Sequence, residues 1–262
     1  MRRVPCLVTL VLLVVAGQPG AQAPASAADS RVVVIAELFT SEGCSSCPPA
    51  DSLLTHLVAT QPIAGVRVVG LSQHVDYWDR LGWRDRFSSA RFTARQADYS
   101  DRLFEGKGIY TPQIVVDGHL QAVGNDPGEV TAAVRRAMLQ PKAPVSVDVR
   151  IENRSLAVDV RASVTEAVTG SEPIELLVAV VENGLTSAVR SGENEGLTLA
   201  HSAVVRRLES MGTLPASQRD IAKRVSLSLD KGWQPSRLEV VAFLQQRRGR
   251  RIVGAAAAPV VR

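Results

Sequence analysis

Apolar positions follow three successive patterns along the 262-residue chain, and each predicts a different kind of structure. From Pro5 to Ala16 the run is unbroken apart from Thr9, behind the positive pair Arg2-Arg3. Short apolar blocks then alternate with helical stripes as far as Gln140. The segment from Asp29 to Thr40, with Val32-Val33-Val34-Ile35 apolar on both faces, predicts a buried strand. Pro48-Pro49 suits a first helical turn, and Leu53, Leu54, Leu57 and Val58 continue it to Gln61-Pro62. Val66 to Leu71 predicts a second buried strand, and Trp83 to Leu103 a helix with irregular periodicity. Ile114-Val115-Val116 enters a turn at Asp117-Gly118 and returns through Leu120 to Val123 as a hairpin. Asp126-Pro127-Gly128-Glu129 carries the signature of a capped helix start, with Val130, Val134 and Met138 on its apolar face.

Beyond Gln140-Pro141-Lys142-Ala143-Pro144 the pattern becomes strict alternation. Val145, Val147, Val149 and Ile151, a turn at Asn153-Arg154, then Leu156, Val158 and Val160 predict paired strands. Further strands are expected at Ile174–Val181, Lys223–Leu229, Leu238–Gln245 and Arg251–Ala257, and an amphipathic helix at Ala200–Ser210. The Arg247-Arg248-Gly249-Arg250-Arg251 run reads as a solvated turn between the last two strands. The expected organisation is therefore a signal peptide over 1–27, an α/β domain over 28–142, and a β-rich, sandwich-like domain over 145–262.

The signal-peptide reading rests on the positive start, the apolar stretch and the small residues Ala25-Ser26-Ala27. Pro24 disfavours the alternative cleavage after Ala23. The apolar run is too short to span a bilayer, so no membrane span is expected in the mature chain, and the protein is expected to be exported, periplasmic or secreted. Without residues 1–27 the chain keeps 28 basic against 26 acidic residues, close to neutrality, and the scattered arginines predict no nucleic-acid partner.

Three cysteines occur, and removal of Cys6 with the leader leaves Cys44-Ser45-Ser46-Cys47, between a strand and a helix. That position suits a redox pair. The Cys44 thiolate, favoured by a helix N-terminus, attacks a partner disulfide, and Cys47, less exposed one turn later, resolves it. The expected partners are a protein or small-molecule thiol or disulfide substrate and a redox partner, with no cofactor and no resident metal. Two other readings stay open: a disulfide that only stabilises the fold inside a non-enzymatic binding module, and a periplasmic copper site built from Cys44, Cys47 and His74.

Tyr110-Thr111-Pro112-Gln113, directly before a strand and after a CxxC, resembles the site where the thioredoxin superfamily places a cis-proline. More closely, Glu37 to Asp51, His74-Val75-Asp76-Tyr77-Trp78-Asp79, and Gly192-Glu193-Asn194 with His201 resemble a secreted bacterial family named only as a domain of unknown function, number 1223. The resemblance implies a thioredoxin-like N-terminal domain in the α/β class. It also implies Cys44 as nucleophile, Cys47 as resolving thiol, and Thr111 and Pro112 beside them, and it brings no established reaction. Two serines stand between the cysteines where thioredoxin has Gly-Pro, and Glu37 is a candidate proton carrier or a satisfied strand carboxylate. The stretch His74 to Trp83, with Tyr77 and Trp78, reads as a lid or substrate-contacting wall, and His201 as the satisfier of a local turn.

Overall fold

The computed structural model describes residues 31–261 except 107 and 216; the signal-peptide reading lies outside the described residues. The elements follow in the order β1 (Val32–Thr40), α1 (Pro48–Thr60), β2 (Val66–His74), α2 (Ala90–Leu103), β3 (Gln113–Val116), β4 (Leu120–Val123) and α3 (Pro127–Ala137). The second half adds β5 (Val145–Glu152), β6 (Ser155–Ser163), the short α4 (Glu166–Thr169), β7 (Ile174–Glu182), β8 (Leu185–Ala188) and β9 (Thr198–His201). Then come β10 (Val204–Leu214), β11 (Asp220–Ser228), β12 (Leu238–Gln246) and β13 (Ile252–Pro259).

Local chemistry explains many boundaries. Pro48 and Pro49 occupy the first turn of α1, and Gln61 closes it in a left-handed conformation. Asp126 caps α3 by accepting from the Glu129 N–H at 2.9 Å, while the Glu129 carboxylate accepts from the Val123 N–H at 3.1 Å. Asp117 and Gly118 both have positive φ, as a tight hairpin between β3 and β4 requires.

The expectation of a thioredoxin-like α/β domain followed by a separate β-sandwich is overturned. The molecule is mainly β, and strands from both halves form one mixed eight-stranded sheet in the order β13-β12-β7-β10-β2-β1-β3-β4. The join is the parallel contact of β10 with β2, where Val204 lies opposite Ser72 and the Ser72 N–H donates to the Ala203 carbonyl at 2.8 Å. Strand β2 has apolar residues on both faces and needs partners on each edge; β1 pairs along its whole length, and the other edge is met by β10 at Ser72 and by the Gln61 side chain at Val68.

Packing crosses the two halves as well. On one face, α1 and α3 cover Val34, Ala36, Leu38 and Val68. A three-stranded sheet, β11-β6-β5, covers Leu176, Val178, Val180 and Val240. On the other face Ile35, Val69 and Leu71 share a cluster with Phe92 of α2 and with Leu177, Ala179, Val241 and Phe243. The Gln140–Pro144 break is a packed crossing. The Ala143 N–H donates to the Val253 carbonyl at 2.6 Å, and Lys142 Nζ lies 2.6 Å from Asp117 Oδ2.

The helix expected over Ala200–Ser210 is instead the end of β9 and the start of β10. A register shift leaves Arg206 without an opposite residue in the pairing of β10 with β7. Val205 and Leu208 therefore face the same core cluster three positions apart, a spacing that imitates a helix.

Glu37 in β1 is fully buried between the halves. Arg95 holds it in a fork at 2.6 and 2.9 Å, Gln73 Nε2 donates at 2.7 Å, and Tyr99 donates through its hydroxyl. Burial raises this carboxyl, but Arg95 and the other donors outweigh it and leave it below the ordinary range. It is thus a satisfied strand carboxylate. Arg95→Ala would strand the buried charge, with an expected loss of about 3–5 kcal/mol in urea unfolding; a loss under about 1 kcal/mol would show the pair to be dispensable.

Candidate functional site

Cys44 and Cys47 are joined as a disulfide in the loop between β1 and α1. The loop closes on itself: the Cys44 N–H donates to the Ser41 carbonyl and the Cys47 N–H to the Cys44 carbonyl, both at 3.2 Å. Cys47 is the residue that caps α1, and its own carbonyl accepts from Ala50 and Asp51 at 2.9 and 3.1 Å. The expected difference in exposure is absent. Both cysteines are fully buried, and only Ser45 and Ser46 between them face solvent.

The cover comes from the second half of the chain, from the segment between β8 and β9. Asn194 Nδ2 donates to the Glu42 and Cys44 carbonyls at 2.9 and 3.0 Å. A Glu193 oxygen accepts from the Ser45 N–H at 3.0 Å, and Ser191 Oγ donates to the Gly82 carbonyl at 2.6 Å. The Gly192-Glu193-Asn194 triplet therefore acts as a clasp over the disulfide loop.

Behind the loop lies a buried ionisable cluster. His74, at the end of β2, places Nδ1 2.6 Å from Asp85 Oδ2, and that same oxygen accepts from the Glu42 N–H at 2.9 Å. Trp83 Nε1 donates to Glu42 Oε2 at 2.7 Å. His201 Nε2 lies 3.2 Å from Glu42 Oε1, within ion-pairing distance but not aligned as a hydrogen bond. The two imidazoles stand edge to face at 5.0 Å, with Phe87 at 5.3 Å from one and 5.7 Å from the other. Burial pushes His74 down, but Asp85 and then Asp51 and Glu42 hold it above its ordinary value. Burial raises Asp85, and His74 more than reverses it. Burial likewise raises Glu42, and His201 with the Ser187 and Trp83 donors leaves it low, against repulsion from Asp85.

Asp51 sits one turn after Cys47, so their side chains share a face of α1. It is buried, and Thr40 Oγ1 donates to its Oδ2 at 3.3 Å. Burial lifts its pKa to about 6, against the pull of His74 and His201. Spacing on α1 could have singled out Asp51, because an acid at the fourth helical position sits on the stripe that carries Leu54. Asn194 stands out in the sequence only as part of the Gly192-Glu193-Asn194 resemblance and Asp85 not at all, and His201 is corrected from a local turn residue to a member of this cluster.

The Thr111–Pro112 peptide is cis. Trp78 ties that segment to the disulfide loop: its Nε1 donates to Thr111 Oγ1 at 2.8 Å, while its Cβ lies 3.3 Å from the position a Gly43 Cβ would occupy. From the other side, the Gly124 N–H donates to the Pro112 carbonyl at 2.9 Å, and Asn125 Nδ2 reaches the Ser46 carbonyl at 3.5 Å. Tyr77 is half-buried with its hydroxyl 3.4 Å from Gln96 Oε1. Thr111 and Pro112 are thus linked to the disulfide loop through Trp78 and Asn125, and His74 through Asp85 and the Glu42 N–H, with Tyr77 at the margin against α2. Among the described residues no group of three His, Cys, Asp or Glu side chains is disposed to share a metal ion, so the copper trio is not assembled. His119 stands apart, on the β3–β4 turn, with Nδ1 3.0 Å from the Asp117 carbonyl.

A family model described as protein of unknown function (DUF1223) matches residues 35–245. The chain belongs to that family. No curated protein matches it. Among solved structures, protein AGR_C_4864 from Agrobacterium tumefaciens is 28% identical, covers 87% of this chain and 94% of its own, and superposes with a TM-score of 0.62. HBP35 of Porphyromonas gingivalis is 16% identical with a TM-score of 0.66, covering 88% of this chain and 76% of its own, and is similar in fold alone.

A carboxyl protonated to about pH 6 in the fold but ionised from its ordinary 3.8 when unfolded stabilises fully below that lower value. The contribution is lost as pH rises through 6, about 3 kcal/mol in all. Asp51→Asn should remove this slope: between pH 4 and pH 7 the urea midpoint of the wild type should fall relative to that of the variant. Parallel curves would mean that Asp51 is not held protonated.

Proposed function

We propose that this family member is an exported thiol–disulfide exchange protein with Cys44 and Cys47 as its reacting pair. The observation that carries the reading is the Cys44–Cys47 disulfide at the head of α1, backed by buried His74, Asp51 and Glu42. A substrate thiolate attacks Cys44 Sγ, the S–S bond breaks, and Cys47 leaves as a thiolate that takes up a proton. Attack by a second substrate thiolate on the mixed disulfide releases an oxidised substrate and the reduced pair, two electrons having moved to the protein. The reverse sequence reduces a substrate, and a second thiol or disulfide partner restores the starting state. Asp51 and His74 are suited to supply or accept the Cys47 proton. Kinship with the thioredoxin superfamily is proposed for this site, on the CxxC and the neighbouring Thr111-Pro112, and not for the architecture.

The burial of both cysteines supports a second reading, a binding module whose disulfide stays oxidised. Accessibility separates the two. Equilibration of the folded protein against thiol buffers, with mass-tag trapping, should give a measurable reduction potential, and Cys47→Ser should accumulate a mixed disulfide through Cys44. A pair that never equilibrates short of unfolding excludes exchange and leaves the binding module. Exchange requires the clasp to open. Asn194→Ala removes two hydrogen bonds and should speed reduction by dithiothreitol by about tenfold; an unchanged rate would show that Asn194 does not gate the sulfurs.

A further inference from the structure

The side of the large sheet that carries α2 is only partly covered. Next to the helix lies a cleft of about 730 Å³, walled by α2, β10 and the first residues of β7 and within the size range of small-molecule sites. Six arginines line it (Arg86, Arg91, Arg95, Arg206, Arg207 and Arg250), against two carboxylates, Glu175 and Glu209. Arg95 and Arg250 are committed to Glu37 and Asp98. Arg207 reaches Ser228 at 2.9 Å, with Asp230 at 3.4 Å and Glu209 at 3.7 Å, and Arg206 has Glu182 at 3.6 Å. Among the described residues no carboxylate pairs with Arg86 or Arg91; the Arg86 guanidinium donates to the Thr186 carbonyl at 2.7 Å.

Two features bring these cations together against their mutual repulsion. The first is the bulge in β10. Arg206 is the extra residue, so two consecutive arginines approach the Trp233 ring, at 5.8 and 5.4 Å. Bulges of this kind re-aim side chains beside functional sites. The second is Phe87, whose ring carries Arg86 at 4.6 Å and Arg206 at 5.3 Å from its centroid. Burial and the neighbouring Arg86 charge hold Arg206 below its ordinary value, with Glu182 opposing. Guanidinium groups gathered around a half-buried cleft are stabilised by an anion that accepts their forked donors. Ser88 and Ser89 complete the rim at the start of α2, where Ser89 Oγ caps the helix by accepting from the Arg91 N–H at 3.3 Å and Ser88 Oγ donates to Asp79 Oδ2 at 2.7 Å.

We propose that this cleft binds a small multivalent anion, a molecule with two or more carboxylate or phosphate groups, between Arg86, Arg91 and Arg206. The proposal goes beyond thiol exchange and does not depend on it, since neither cysteine lines the cleft. Phe87 touches both sites: its ring carries Arg86 and Arg206, and His74 and His201 pack edge to face against it at 5.3 and 5.7 Å.

Isothermal titration calorimetry on the full chain at low salt tests it, with citrate and pyrophosphate as probes and acetate as monovalent control. Citrate or pyrophosphate should bind in the micromolar range and acetate far more weakly; the tighter of the two tells carboxylate from phosphate chemistry. Arg86→Ala, Arg91→Ala and Arg206→Ala should each weaken binding by about tenfold or more, while Arg224→Ala on the three-stranded sheet should not. Arg86 and Arg91 are solvent-exposed, so their variants keep the test decisive if Arg206→Ala fails to fold. Failure of both probes to outbind acetate, or equal loss in Arg224→Ala, overturns the proposal.

Discussion

Strand β2 cannot be left with an open edge, because its residues from Val66 to His74 are almost all buried and its backbone groups need partners on both sides. The first half of the chain supplies β1 on one side; on the other, the Gln61 side chain bonds both backbone groups of Val68, and β10, more than a hundred residues later, meets the strand at Ser72. That parallel seam lets the apolar faces of β2, β7 and β12 share one core. It also brings His201 beside His74 and draws the Gly192–Asn194 segment over the cysteines. The disulfide loop is a product of the first half, but its environment is a product of both.

The cluster behind the loop shows what that environment costs and how the cost is offset. Removing a carboxylate or an imidazolium from water is expensive unless a counter-charge or donor meets it. Asp85 meets His74, and Trp83 with His201 meets Glu42. Asp51 has Thr40 and otherwise only more distant positive charge, so it takes the other solution and holds its proton to about pH 6. A group that changes protonation near pH 6, one helical turn from a sulfur, is suited to proton traffic in the disulfide exchange proposed for this site. Phe87 is shared between this cluster and the arginine cleft, its ring packing against His74 and carrying Arg206.

Much of the local structure is legible in the chain because its causes are local. The Pro48-Pro49 start of α1, the Asp126 cap of α3, the Asp117-Gly118 hairpin and the strict alternation from Val145 to Val160 each depend on residues a few positions apart. The errors arise where a distant partner decides. The Val204–Leu208 stretch imitates a helix because a bulge shifts its register. The proline-rich segment near Pro144 imitates a linker because nothing in it announces that the Ala143 backbone will bond to Val253.

By itself the sequence determined the strand–CxxC–helix unit, the proline segment before β3, and the grouping of His74, Tyr77 and Trp78 at the end of β2. Those follow from periodicity, turn chemistry and spacing, which act within a few residues. The tertiary structure alone decided that both halves share a sheet, that His201 belongs with Glu42, that Asn194 covers Cys44, and that six scattered arginines converge on one cleft. Such juxtapositions depend on which edges and faces must be buried against one another, and burial is a property of the whole chain.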